Sequence, residues 1–246
     1  MNSYLTCPRA WYLQYVLKEG GKQNFFSQYG SYVHEILEKY GKGELALEEL
    51  VPYYDEHFDE YITVDAPYNK WKDLREDYYY KARNYLVDFN GFDDETVGIE
   101  YPVNFPLKLK NRTLKMCGYI DRVSKLEDGT LKITDYKSRK NFKNKEELDH
   151  YLYQLYLYSI PLKENNQVTK LTFDMFKENS KVNVDYDEEA LKKTIEWVDK
   201  TVEMIYNDNE FKRSKDVEND FFCKNLCSCY ESCYNQKVEE DEKNSK

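Results

Sequence analysis

Gly118-Tyr-Ile-Asp121-Arg122, followed across an Asp128-Gly129 pair by Leu131-Lys-Ile133-Thr-Asp135-Tyr136-Lys137, is the stretch on which the reading of this 246-residue chain turns. A strand repeats its side-chain direction every second residue, so Asp135 and Lys137 project from one face while Tyr136 points to the other. Aspartate is depleted in strands, yet Asp121 and Asp135 end or interrupt runs rich in β-formers, Met116 to Val123 and Leu131 to Tyr136. Two carboxylates and an ammonium group brought together make a small oxygen-rich pocket suited to Mg²⁺ or Mn²⁺ rather than to softer metals. The chemistry such a pocket serves is phosphodiester hydrolysis.

Working outward, the pattern is α/β. Pro8 fits a first helical position, with an apolar helix running to about Leu17, and further helices are expected around 30–40, 44–61 and 68–90. The period then changes. Val97–Leu107, Thr113–Leu126 and Leu131–Tyr136 read as strands, the last two joined by a turn at Asp128-Gly129. A helix carrying Gln154 follows, then strands near Leu171–Phe176 and Val182–Tyr186 and a long helix from about Glu188 to Asn207. Gln154 and Tyr158, four residues apart, share a helix face from which an amide and a phenol can grip a DNA phosphate or base.

A net charge of −10 argues against a broad non-specific DNA-binding surface, so local clusters carry the weight. Lys137, Arg139, Lys140, Lys143 and Lys145 begin at the aspartate motif, and Arg139 and Lys140 are read as phosphate contacts. Lys108, Lys110, Arg112 and Lys115 flank a hairpin, and Val238–Lys243 reads as part of a disordered acidic tail. The 25 tyrosines are read mainly as core-edge residues with wet hydroxyls, a few being available to stack nucleobases. No apolar run has transmembrane length and no secretory signal is visible, which points to the cytoplasm. There structural disulfides are rare, so the clustered Cys223, Cys227, Cys229 and Cys233 are candidate metal ligands, while Cys117, inside a strand, is assigned to the core. The sequence lacks a Gly-x-x-x-x-Gly-Lys-Ser/Thr phosphate loop, which excludes a helicase engine of its own.

In their order these motifs resemble the RecB-type branch of the PD-(D/E)xK nucleases, similar to the exonucleases of CRISPR adaptation. Asp121 matches the first motif aspartate and Asp135-Tyr136-Lys137 the (D/E)xK tripeptide. Ser3 to Tyr15 is similar to the family's N-terminal cysteine motif, Gly30 to Glu38 to its histidine-bearing helix, and Gln154 to Tyr158 to its Gln-x-x-x-Tyr helix. The resemblance implies a restriction-endonuclease-like core, a mixed β-sheet flanked by helices, with an N-terminal helical region and a C-terminal cysteine cluster. It covers nearly the whole chain, as one domain over 1–236: helical part about 8–92, catalytic core about 95–207, cysteine segment 219–235 joined to Cys7, and the acidic tail over 237–246.

What the resemblance implies for roles is specific. Asp121 and Asp135 ligate the catalytic Mg²⁺ or Mn²⁺ with a backbone carbonyl near Tyr136 and with His34; Glu100 matches an upstream acidic position that binds a second ion or orients water. Lys137 orients the attacking water and offsets charge in the transition state. Cys7, Cys223, Cys227 and Cys233 hold a [4Fe-4S] cluster, a structural staple between the chain ends; Zn²⁺ on the four C-terminal cysteines is the alternative, and Cys229 is a spare ligand. The implied activity is a DNA exonuclease on single strands or duplex ends in recombination, repair or CRISPR adaptation, beside a helicase, annealing protein or integrase. A non-catalytic DNA-binding module of the same shape and a redox-sensing cluster protein are the rival readings.

Overall fold

The computed structural model describes residues 1–214 and 221–234, so the acidic tail and part of the cysteine segment lie outside the described residues. Two compact units are present. Tyr29–Ile62 with Tyr68–Trp197 form the sheet unit; Met1–Gln28, Thr63–Pro67 and the described residues from Val198 onward form the terminal unit.

The sheet unit is built on five strands, β1 (Glu95–Lys108), β2 (Thr113–Lys125), β3 (Leu131–Tyr136), β4 (Val168–Met175) and β5 (Ser180–Asp185), arranged in that order. All neighbours are antiparallel except β3 and β4. A parallel pair needs a crossover, and the helix Lys145–Leu162 supplies it, its first turn capped by Asn144 Oδ1 accepting from the Glu147 amide at 2.9 Å. β1 lies at the sheet edge, where Pro102 and Pro106 cost little ladder bonding. At the β2–β3 turn, Asp128 Oδ1 accepts from the Thr130 amide at 2.9 Å while Gly129 takes φ +82°, a value a side chain would resist.

Register then places the motif. Val123 pairs with Ile133 and Arg122 with Thr134, so Asp121 and Asp135 continue on the face that buries Val123 and Ile133. Each of these aliphatics contributes about 1.5–3 kcal/mol by burial, and that drive fixes the register.

In chain order the α-helices up to Asn207 are α1 (Asn2–Thr6), α2 (Pro8–Tyr12), α3 (Phe25–Gly41), α4 (Leu50–Tyr61), α5 (Leu74–Asp88), the crossover α6, and α7 (Glu188–Asn207). On α3 the buried residues Tyr29, Tyr32, Val33, Ile36 and Leu37 recur at helical spacing, which sets the neighbouring His34 at the edge of that stripe. Tyr32 stacks on Tyr54 of α4, ring centroids 5.4 Å apart, and donates its hydroxyl to the Tyr53 carbonyl at 3.0 Å. Tyr54 likewise donates to the Tyr79 carbonyl, while Tyr85 donates to the Asp174 carboxylate at 3.1 Å, so main-chain and acidic oxygens both serve buried phenols.

The terminal unit gathers the rings of Tyr4, Trp11 and Tyr12 around Phe211, with Tyr4 donating to Asp208 Oδ2 at 2.8 Å. Cys7 is buried at the α1–α2 junction, and Pro8 opens α2. α8 (Phe221–Asn225) carries Cys223.

Several expectations need correcting. The helix expected over 68–90 begins only at Leu74, because the Asp73 side chain caps it by accepting from the Glu76 amide. The helix expected over 44–61 starts at Leu50, after a single tight turn at Leu47–Glu49. Cys117 is exposed rather than buried: it pairs with Asn104 on the outer stretch of the β1–β2 ribbon. Helix α1 has no counterpart in the sequence reading.

Candidate metal centre

Three side chains from three elements meet: His34 of α3, Glu100 of β1 and Asp121 of β2 each present a ligand atom within 4.8 Å of the others, the one such group among the described residues. The strand positions explain Asp121. Glu100 arrives by a different route: Ile99 pairs with Arg122 and Tyr101 with Ile120, while Glu100 between them adopts φ +46°. A left-handed backbone at a non-glycine residue costs on the order of 1–3 kcal/mol and is found where surrounding structure holds it for use.

His34 is oriented by the main chain of β3. Its Nε2 lies 2.9 Å from the Tyr136 carbonyl oxygen, so Nε2 carries the proton and donates, leaving the Nδ1 lone pair facing Asp121 Oδ2 at 3.6 Å. Burial lowers the His34 pKa, which keeps the imidazole neutral and able to ligate. The Tyr136 amide donates to the same Asp121 oxygen at 2.6 Å. Burial, then the neighbouring Asp135, raises the Asp121 pKa; burial, then Asp121 and Glu38, raises that of Glu100. Lone pairs and like charges crowd a buried space here, and a divalent cation on hard oxygens and one imidazole nitrogen resolves that conflict.

Asp135 lies on β3 and Lys137 directly after its end. Asp135 is buried and stands outside the three-residue group; its Oδ2 lies 2.6 Å from Lys137 Nζ, out of hydrogen-bond alignment. The Lys137 amide donates to the Asp174 carbonyl at 2.8 Å, which continues the β3–β4 ladder through the motif.

The family model described as the PD-(D/E)XK nuclease superfamily matches residues 1–234. The chain belongs to that superfamily. Its members are metal-dependent nucleases, and the sheet and the acidic group fit that class. Among solved structures, the crystal structure of SSO0001 matches with a TM-score of 0.38 at 12% identity, over 81% of this chain and 92% of that one. No curated protein matches.

Within this nuclease fold the other expected contacts divide. Gln154 donates to the Tyr158 hydroxyl at 3.1 Å, and that hydroxyl sits so close to Gly118 that a Cβ there would meet it at 2.8 Å. The Gln-x-x-x-Tyr pair is therefore packed against the strand that carries Asp121. Lys140 is exposed, whereas Arg139 is held inward, on Glu147 at 2.5 Å and over the rings of Phe142 and Tyr151. Lys177, unremarked in the sequence because it lies forty residues beyond the motif, is buried over the Tyr78 ring at 3.9 Å and feels Lys81 and Lys140. His57 and His150 lie in other ring clusters.

In the terminal unit, burial and the nearby sulfurs of Cys229, Cys223 and Cys7 push the Cys227 thiol up to about 11. Cys229 is buried, with its Sγ 3.6 Å from the Ala10 carbonyl oxygen. Arg213 approaches Cys233 twice, Nε donating to Sγ at 3.0 Å and a terminal nitrogen to the carbonyl at 2.8 Å. Among the described residues no helix is long and apolar enough to cross a membrane.

Proposed function

We propose that this protein is a Mg²⁺- or Mn²⁺-dependent DNA exonuclease of the RecB-like branch, acting on single strands or duplex ends. The observation that carries the reading is the neutral His34 with its Nδ1 lone pair turned onto the Asp121–Glu100 carboxylates, beside the Asp135–Lys137 pair. His34, Asp121 and Asp135 hold the catalytic ion and Glu100 completes its shell or orients the water. The Tyr136 carbonyl, expected as a ligand, accepts from His34 with one lone pair and so aims the imidazole, and its second lone pair is the one that would serve the ion. When bound, the ion supplies Lewis-acid polarisation of the scissile phosphate and a more acidic water. Lys137, ion-paired with Asp135, holds a positive charge where the attacked phosphate gains negative charge; water adds to phosphorus, the P–O ester bond breaks, and the leaving oxygen takes the proton. Gln154, Tyr158 and Lys140 hold the strand.

Cys7, Cys223, Cys227 and Cys233 hold a [4Fe-4S] cluster as a structural staple. Support comes from Cys229, Cys223 and Cys7 all acting on Cys227 and from the turn of Cys229 onto a main-chain carbonyl, which favours it as the packed member of the group. Thiolates sharing one zinc ion would stand about 3.8 Å apart; no three cysteine sulfurs among the described residues lie within 4.8 Å of one another. The recombination, repair or CRISPR-adaptation setting, with a helicase, annealing protein or integrase beside it in the cytoplasm, rests on the motif resemblance.

The test uses anaerobically purified protein on end-labelled linear and circular DNA, single- and double-stranded, with Mn²⁺ or Mg²⁺. Loss of label from linear DNA, sparing of circles and no cleavage by Lys137→Ala are expected. Cleavage of circles would replace exonuclease by endonuclease, and no cleavage by metal- and cluster-loaded parent protein would overturn the enzymatic reading.

A further inference from the structure

The segment between α4 and α5 displays two aromatic rings with almost no cover: Tyr68 is 92% and Trp71 82% exposed, the highest values among the large apolar side chains described. Exposed aromatics of this size forgo a large burial gain, and when they are held in position the holding calls for an explanation. Here they are held. Asn69 Oδ1 accepts from the Trp71 amide at 2.9 Å, an Asx turn that fixes the backbone between the two rings, and Asp73 caps α5 immediately after. Lys70 Nζ stands 4.5 Å from the Trp71 ring centroid, and no carboxylate pairs with it among the described residues. Lys72, next along, is tied to Asp77 at 2.6 Å, so Lys70 is the segment's uncompensated cation.

We infer that Tyr68 and Trp71, with Lys70 between them, form a stacking platform for the bases of single-stranded DNA; this deepens the nuclease reading and rests on it. Flat rings offered to solvent take any base, because every base has a π-face, and each stacked base adds binding without sequence choice. The cation-flanked ring matches a polyanion: Lys70 meets the phosphate while Trp71 meets the base. The platform lies on the sheet unit with the metal centre. Lys72 pairs with Asp77 on α5, Lys81 stands 3.9 Å from the same carboxylate, and Lys177 feels Asp77, Lys81 and Lys140.

The experiment measures binding with EDTA present, so that no DNA is cut. Fluorescence anisotropy of a labelled oligothymidylate and of a blunt duplex is followed for the parent, for Tyr68→Ala/Trp71→Ala, for Lys70→Ala, and for Tyr206→Ala as an exposed-aromatic control; Trp71 emission is read on Trp11→Phe/Trp197→Phe protein. Expected are quenching of Trp71 by the single strand, a loss of affinity of roughly tenfold or more in the double variant, and a shallower salt dependence in Lys70→Ala. Duplex affinity and Tyr206→Ala stay near the parent. Unchanged single-strand affinity in the double variant overturns the platform, and would leave the rings as a protein-docking surface. Hydrolysis of bis-p-nitrophenyl phosphate by the parent with Mn²⁺, run in parallel, reports on the nuclease reading alone, so failure of one is distinguishable from failure of the other.

Discussion

Replacing Asp121 by asparagine separates the metal centre's cost from its use. Glu100 and Asp121 place carboxylate oxygens within 4.8 Å of each other in a half-buried space. At an effective dielectric of about 20, two like charges at that distance repel by about 3 kcal/mol. The Asp121→Asn change removes one charge and keeps an acceptor oxygen for the Tyr136 amide, so the hydrogen bond at that atom survives. The metal-free variant should therefore be more stable than the metal-free parent by about 2–3 kcal/mol, roughly 5–10 °C in melting temperature. Binding of an ion to the native state alone adds RT ln(1 + [M]/Kd), a gain the parent should show and the variant should lose. Thermal melts in EDTA and across a Mn²⁺ series, with DNA cleavage in parallel, give both quantities. A variant less stable than the parent in EDTA would refute the charge argument, and an unchanged Mn²⁺ response would place the ion elsewhere.

Gly118→Ala should push the Tyr158 ring away, since the new Cβ would meet its hydroxyl at 2.8 Å and its ring at 3.0 Å; a melting loss equivalent to about 1–3 kcal/mol and a raised KM for DNA are the readouts. For Lys177, burial followed by Lys81 pushes the ammonium down to about 8. Because that lies below the ordinary lysine value, stability should rise as pH goes from about 8 to about 10.4; Lys177→Met should abolish that slope and raise the melting temperature at pH 7 by a few degrees. Iron content and the visible charge-transfer absorption of anaerobic protein should survive Cys229→Ala and be lost in Cys227→Ala, and equal loss in both would make Cys229 a ligand. Arg213→Ala should leave iron content intact while changing the cluster's midpoint potential, because the guanidinium hydrogen-bonds the Cys233 sulfur.

How far the sequence reached depends on which physics governed each element. That Asp121 and Asp135 share a face was legible because strand alternation and the buried Val123–Ile133 pair leave one register open. The strand and long-helix assignments share that origin, and β3 and α7 fall where the pattern ends. Glu100 was visible as an acid but not as a backbone feature, since nothing local requires φ +46°; the fold around it does. Cys117 was misread because alternation within a ribbon reveals which residues share a face, not whether that face is covered. The expected helix at 68 failed on a single cap, for Asp73 satisfies the first-turn amides and ends the irregular segment.

The centre's geometry belongs to the main chain of one strand more than to its side chains. Tyr136 donates its amide to Asp121 and accepts from His34 at its carbonyl, while the next amide, of Lys137, continues the ladder to Asp174. One peptide unit on either side of Tyr136 thus spaces an acid from β2, an imidazole from α3 and an ammonium from the residue that follows β3. What the Asp-x-Lys motif fixes physically is therefore a spacing: a slip of one residue would turn Asp135 to the opposite face and reverse donor and acceptor toward His34 and Asp121 together. The side chain of Tyr136 serves from behind, buried where it feels Arg122 and Asp174, so the ring fixes the peptide that fixes the site. A few buried aliphatics set the register, the register sets that peptide, and the peptide decides which lone pairs face one another across the space a divalent ion would fill.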